Sequence, residues 1–189
     1  TIVSKHLFDI DTNPPWGKYT GYQLEYGTAW DNIGTISFNV VNDRAGHGPG
    51  CPCGFQLIPQ SEAIYNEWVH VVGVFEAGNA AKLYINGELQ DEVSTTETGI
   101  DDKDSPFYIG AIYSNYTEEG QVNSEFDGMI RDVFVINRVT NADEVWDIYS
   151  DTDSALDPEN TPNLDGYWKL DEGAGTIAYD SCSQSNDGD

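Results

Sequence analysis

An all-β antiparallel sandwich with one short helix is the fold that this sequence predicts, and three observations carry the prediction. The stretch from Asn66 to Leu89, N-E-W-V-H-V-V-G-V-F-E-A-G-N-A-A-K-L-Y-I-N-G-E-L, reads as two antiparallel strands with a tight turn between them and a second turn at the end. About eight or nine short segments along the chain have strand character against a single credible helix. Several of those segments alternate apolar and polar residues with the period of two that a half-buried strand requires.

Taken in order, Thr1 to Lys5 opens as a strand, and a Pro/Gly/aromatic loop follows at Asn13-Pro14-Pro15-Trp16-Gly17. Tyr22, Leu24 and Tyr26 then alternate with polar residues, and Thr35 to Val41 repeats the pattern before a long loop from Asn42 to Gly54. From Trp68 to Phe75, Trp68, His70, Val72 and Val74 share one face while Val69, Val71, Gly73 and Phe75 share the other. Both faces are largely apolar, which places this strand inside the sandwich with cover on each side. Asn86-Gly87 ends the partner strand, so a third strand is expected near Glu88. Phe107 to Gly110 is a short strand, and Met129 to Ile136 is the longest apolar one and is expected to be central. The helix is Ala142 to Tyr149, capped by Asn141 with Glu144 completing a capping box, and with Val145, Ile148 and Tyr149 on one face. Residues 151–163 are rich in Asp, Ser, Thr, Pro and Asn and read as a linker, after which Gly166 to Gly173 begins a fresh strand.

The chain has 189 residues, enough for a substantial core, and a formal charge of −25 from 33 acids against 8 Lys and Arg. Such a field repels nucleic acid and anionic membranes, and suits calcium or a salty medium. No apolar run approaches the roughly 20 residues of a membrane helix, so membrane insertion is not expected. The chain opens directly in an apolar strand without a methionine, which reads as a segment of a longer protein. Three cysteines, Cys51, Cys53 and Cys182, do not make a disulfide framework. His47 and Cys51-Pro52-Cys53 lack the two spaced ligand pairs of a structural zinc site, and the cysteines read as a Cys pair or plain loop thiols. Asn115-Tyr116-Thr117 is a glycosylation sequon whose use depends on the source cell.

The series I-V-S-K, E-W-V-H-V-V-G-V-F, K-L-Y-I-N-G-E-L, F-Y-I-G and F-D-G-M-I-R-D-V-F-V-I-N-R resembles, in that order, the laminin-G-like jelly-roll domains of the concanavalin A-like lectin and glucanase superfamily. The likeness covers about residues 1–150. The tail G-Y-W-K-L-D-E-G-A-G-T-I-A-Y-D-S-C-S-Q-S-N-D-G resembles the way such domains begin, so the order is inverted. Two arrangements follow: a cut across a tandem array, with residues 164–189 heading the next repeat, or a circular permutation in which they complete this sandwich. An open edge beside Met129 to Ile136 would invite aggregation, and Tyr167 to Leu170 is suited to cover it.

The resemblance implies a noncatalytic recognition or adhesion module, extracellular or on a cell surface, with a glycan or a surface protein as partner. A structural subunit of a surface layer or filament, joined to its neighbours by strand exchange, is the alternative. The carboxylate strand motif of the family's glycanases has no counterpart here, and no catalytic residue is assigned. His70 reads as a buried, hydrogen-bonded core imidazole. The family often holds one structural calcium at the sheet edge, which carries over to Asp127 and Asp180 first and to Asn186 and Asp132 next. Arg131 departs from the acid that is frequent at its position. For a glycan, the candidates are aromatic rings and polar groups in or beside loops: Trp16, Tyr19, Trp30, Asp31, Asn32, Tyr113 and Tyr116, with Trp16, Trp30 and Asp31-Asn32 as the preferred cluster.

Overall fold

The computed structural model describes residues 1–9, 18–27, 35–41, 54–57, 66–100, 105–114, 121–123 and 125–189. Its larger sheet is built from β1 (Val3–Asp9), β2 (Lys18–Tyr26), β3 (Ile36–Val41) and β4 (Gly54–Leu57), each antiparallel to the next. After β5 (Val71–Glu76), β6 (Ala80–Ile85) and β7 (Glu88–Ser94), the short β8 (Tyr108–Ile109) joins the free side of β1, giving five strands in the order β4-β3-β2-β1-β8. A second sheet is the meander β5-β6-β7. Among the described residues, two small pairs stand beside these sheets. They are β9 (Ile112–Ser114) with β10 (Gln121–Asn123), and β11 (Val133–Ile136) with β12 (Leu164–Trp168), both antiparallel.

The alternation read from the sequence decides which side chains meet. Ile36, Phe38 and Val40 of β3, with Tyr22, Leu24 and Tyr26 of β2, face Ala81, Leu83 and Ile85 of β6 and Val71 and Phe75 of β5 across the sandwich. On the reverse side of the meander, Val72, Val74 and Tyr84 are covered by Val145 and Phe134. The strand at Val71–Glu76 is thus packed on both faces, buried at Val72 and Val74 and half-buried at Val71 and Phe75, as its doubly apolar pattern requires. Gly73 is one consequence of that close layering. A Cβ at this position would stand 2.6 Å from the Phe38 ring, which is itself 4% exposed and has nowhere to move. Gly73→Val is expected to overpack the layer at about 1–3 kcal/mol, lowering the melting temperature by several degrees in a thermal scan; an unshifted midpoint would contradict this packing.

The meander's second turn follows the Asn-Gly signal: Asn86 and Gly87 both take positive φ, 51° and 79°, as a two-residue hairpin turn of this hand demands. The helix α1 (Ala142–Ser150) starts where expected, with the Asn141 side chain accepting from the Glu144 backbone N–H at 2.9 Å. Arg138 locks that start in place. Its guanidinium makes a two-point pair with the Glu144 carboxylate while Nε donates to the Pro162 carbonyl at 3.0 Å. The hydrogen bond from Arg138 holds the Glu144 carboxyl below its ordinary range.

The structure departs from four expectations. The apolar strand expected from Met129 begins only at Val133, because Asp132 turns the backbone to φ 52° and Met129 is left 75% exposed. The strand expected from Trp68 begins at Val71, after Asn66 at φ 59°, and Trp68 stands in solvent. Tyr149, expected on the buried helix face beside Val145 and Ile148, is exposed. Within residues 151–163, read as a linker, the chain forms α2 (Thr152–Ala155) and buries Leu156.

β12 pairs with β11 in the same chain, Trp168 opposite Val133 and Tyr167 opposite Phe134. Alternation then sends Val133, Val135 and Trp168 toward Val3 and Leu24 of the large sheet, and Phe134, Ile136 and Tyr167 toward Ile148 and Leu156. The pair therefore sits in the same layer as the meander, between the large sheet and the helix.

Candidate functional site

The face of the large sheet that points away from the core carries polar residues at matched register. Antiparallel pairing sets Tyr108 of β8 opposite Ser4 of β1, Ser4 opposite Gln23 of β2, Gln23 opposite Asn39 of β3, and Asn39 opposite Gln56 of β4. Because directly opposed residues share a face, these positions form a row across all five strands. Beside it, Glu25 stands opposite Ser37. The row is built rather than loosely displayed. Asn39 Nδ2 donates to Glu25 Oε2 at 3.0 Å, Ser4 Oγ donates to the Ala111 carbonyl at 3.0 Å, and Ser4, Ser37 and Asn39 are buried.

Two features give this face chemistry. Burial raises the Glu25 carboxyl above its ordinary range, against the opposing pull of hydrogen bonds from Asn39 and Gln23. Gln23 Oε1 is buried and, among the described residues, accepts no hydrogen bond. An amide oxygen withdrawn from water without a donor costs free energy, and a hydroxyl or amide from a ligand would relieve that cost. At the β8 end, Tyr108 and Tyr113 stack with centroids 6.3 Å apart and planes 7° from parallel. Burial, and after it the neighbouring Tyr113, raises the Tyr108 phenol.

Of the residues expected to bind a ligand, Tyr113 lies on β9 and is the one that the structure joins to this face. Tyr19 lies on β2 opposite Phe8. Trp16, Trp30, Asp31, Asn32 and Tyr116 fall outside the described residues, as do His47, Cys51, Cys53 and the Asn115 sequon. Gln23, Glu25 and Asn39 were not expected. The signal that could have found them is the polar half of the alternation in β2 and β3, which carries amides and a carboxylate where an idle outer face would carry lysines and threonines.

Of the four residues expected to hold calcium, Asp180, Asn186 and Asp132 bond to groups within the protein. Asp180 is 8% exposed, and its carboxylate accepts from the backbone N–H groups of Tyr167, Cys182 and Asn186 and from Asn186 Nδ2, four bonds of 2.9–3.1 Å. Burial alone would raise this carboxyl, but those N–H donors outweigh it and hold it below its ordinary range. Asn186 also donates to the Asp165 carbonyl, and its own carbonyl accepts from the Trp168 indole. Asp132 Oδ1 accepts from the Tyr167 hydroxyl at 3.0 Å while Oδ2 pairs with Arg131. Asp127 is exposed at its turn. Among the described residues no three acidic, His or Cys side chains form a group that could share one ion. Asp180 and Asn186 thus serve as the knot that ties the Gly/Ser loop to β12, and the set does not fit an oxygen cage for calcium.

His70 is also corrected. Its imidazole is half-buried with both ring nitrogens withdrawn from solvent, and among the described residues neither nitrogen has a hydrogen-bond partner. It lies instead between Phe134 at 6.4 Å and Tyr149 at 5.7 Å, and burial lowers its pKa. Cys182 is a free, buried thiol, which burial and then the adjacent Asp180 push up to about 11, so it is inert.

The family described as the concanavalin A-like lectin/glucanases superfamily (Laminin_G_3) matches residues 6–146, most of the two-sheet body. The chain belongs to this superfamily. No curated protein matches this concanavalin A-like domain. Among solved structures, it is similar to a candidate carbohydrate-binding protein from Bacteroides ovatus, at TM-score 0.60 and 18% identity, covering 98% of this chain and 50% of that one. It is also similar to an S-layer domain-containing protein from Clostridium thermocellum, at TM-score 0.38 and 23% identity, covering 79% of this chain and 64% of that one. The concanavalin A-like domain thus spans half the length of the first. Among its described residues, no helix is long and apolar enough to cross a membrane.

Proposed function

We propose that this concanavalin A-like domain is a noncatalytic recognition module, displayed outside the cell or on its surface, that holds a glycan across the polar face of the large sheet. The observation that carries the reading is the buried Gln23 amide oxygen, without a donor among the described residues, set in a row with Ser4 and Asn39 beside Glu25. Sugar hydroxyls supply donors and acceptors together, and the stacked Tyr108 and Tyr113 offer apolar cover for a ring at one end. Trp16 and Trp30, the rings expected from the sequence, remain candidates for further ring contacts. The description of the Bacteroides ovatus protein as a candidate carbohydrate-binding protein agrees with this reading.

A glycan array is the direct test. Saturable binding that falls about tenfold or more in both Gln23→Ala and Trp16→Ala, with the melting temperature kept, supports the proposal. Binding that survives both substitutions sinks it. Assembly by strand exchange is the alternative, and the pairing of β11 with β12 inside one chain favours a self-contained module. A monomer at all concentrations in sedimentation would agree with that preference.

A further inference from the structure

On the opposite side of the molecule, α1 presents two aromatic rings where a helix normally presents polar side chains. Trp146 is 49% exposed and Tyr149 41%, and they meet edge to face with centroids 5.6 Å apart and planes 64° apart. This corner is held in place from below. Tyr149 lies tilted against His70, and His70 stacks on Phe134 of β11, so a column of rings runs from the interior to the surface. From the side it is held by the Asn86-Gly87 turn: a Cβ on Gly87 would lie 2.8 Å from the Trp146 ring and 3.0 Å from Tyr149. The rings are therefore positioned before any partner arrives, which lowers the cost of using them.

The charged residues that flank these rings along α1 and the turn are acidic. Asp143 stands one helical turn before Trp146, Asp147 follows it, Glu88 follows Gly87, and the last turn of α1 carries no basic residue. Elsewhere the chain shows how it satisfies such rings. Arg131 lies over Trp68 at 5.2 Å and Lys169 over Tyr167 at 5.7 Å, whereas among the described residues no cation lies over Trp146 or Tyr149. With a formal charge of −25 and only 8 Lys and Arg, the protein has few cations of its own to supply.

We propose that the Trp146–Tyr149 corner is a docking surface for a lysine- or arginine-bearing segment of a partner protein, which places an ammonium or guanidinium over the Trp146 face with Asp143, Asp147 and Glu88 around it. A cation over an indole is attracted by the ring quadrupole, and the carboxylates draw it in from a distance. This surface is separate from the polar face of the large sheet, so the two can fail independently.

The test is a titration of the ¹⁵N-labelled chain with a capped peptide alternating glycine with lysine and arginine, and with a glutamine-for-cation control, following the indole N–H resonances. The expected result is saturable movement of the Trp146 indole with the basic peptide alone. Affinity should fall about three- to tenfold in Trp146→Ala and in the Asp143→Asn/Asp147→Asn pair, and stay unchanged in Trp68→Ala. Because Trp146 is exposed, melting curves are expected to show all variants folded; Trp146→Phe, retaining part of the affinity, keeps the test open should the alanine variant fail. Equal affinity in Trp146→Ala would overturn the proposal by showing adsorption to the general negative field. Equal binding of the glutamine control would overturn it in favour of an apolar contact. Movement of the Trp146 indole on dilution or concentration alone would assign the corner to a second copy of this chain.

Discussion

A chain ended at Asn163 is expected to lose its cooperative unfolding transition. Removing residues 164–189 takes Leu164, Tyr167 and Trp168 out of two core clusters and deprives β11 of the strand it pairs with. Each of these side chains is worth about 1.5–3 kcal/mol in burial. Their sum is comparable to the whole stability of an ordinary domain, about 5–15 kcal/mol. The shortened chain should therefore show collapsed amide dispersion in an NMR spectrum and elute as aggregate, since Val133 to Ile136 would present an unpaired apolar edge. A melting curve matching that of the full chain would show that the tail is an accessory rather than part of the fold.

Asp180→Ala is expected to give the largest loss of any single substitution named here, about 3–5 kcal/mol. The alanine leaves the buried N–H groups of Tyr167 and Cys182, and that of Asn186, without their acceptor at once. In a chain of this length that lowers the melting temperature by about 6–20 °C. The sign of the pH dependence follows from the lowered folded pKa. Asp180 contributes fully above its ordinary 3.8 and loses that contribution as the pH falls through the lower folded value. Asp180→Asn should therefore flatten the acid limb of stability below about pH 4 relative to wild type. If calcium raised the melting temperature of the native chain and that rise vanished in Asp180→Asn, the knot would have to be redrawn as an ion site.

The fold was largely legible because its signals are local. Asn86-Gly87, the Asn141 cap and the alternation in Tyr22, Leu24 and Tyr26 each follow from backbone sterics and burial within a few residues. The errors fall where one backbone angle overrides an apolar run, as Asp132 does for Met129 to Ile136. The site was harder to read because it is a product of register. Gln23 and Asn39 are separated by 16 residues and become neighbours only when β2 and β3 align, which no spacing rule announces. Asp180 is ambiguous in the sequence for the opposite reason: an acid beside Gly turns looks the same whether it meets a metal ion or backbone N–H groups. The Trp146–Tyr149 corner was hidden inside a good helix pattern, in which Tyr149 fits the apolar face by spacing yet ends exposed.

The pairing of β11 with β12 also sets a clock. Ile136 and Leu164 are opposed in the ladder, so the layer that divides the large sheet from the helix cannot close until the chain has been made through Trp168. At about 5–20 residues per second, a ribosome leaves β11 waiting on the order of a few seconds for its partner. For that interval the cell must shield an apolar strand, and contacts so distant in sequence make the closing step slow even when the whole chain is present. The segment that finishes the sandwich is thus a control point for yield, and the rate at which it is delivered matters as much as the strength with which it binds.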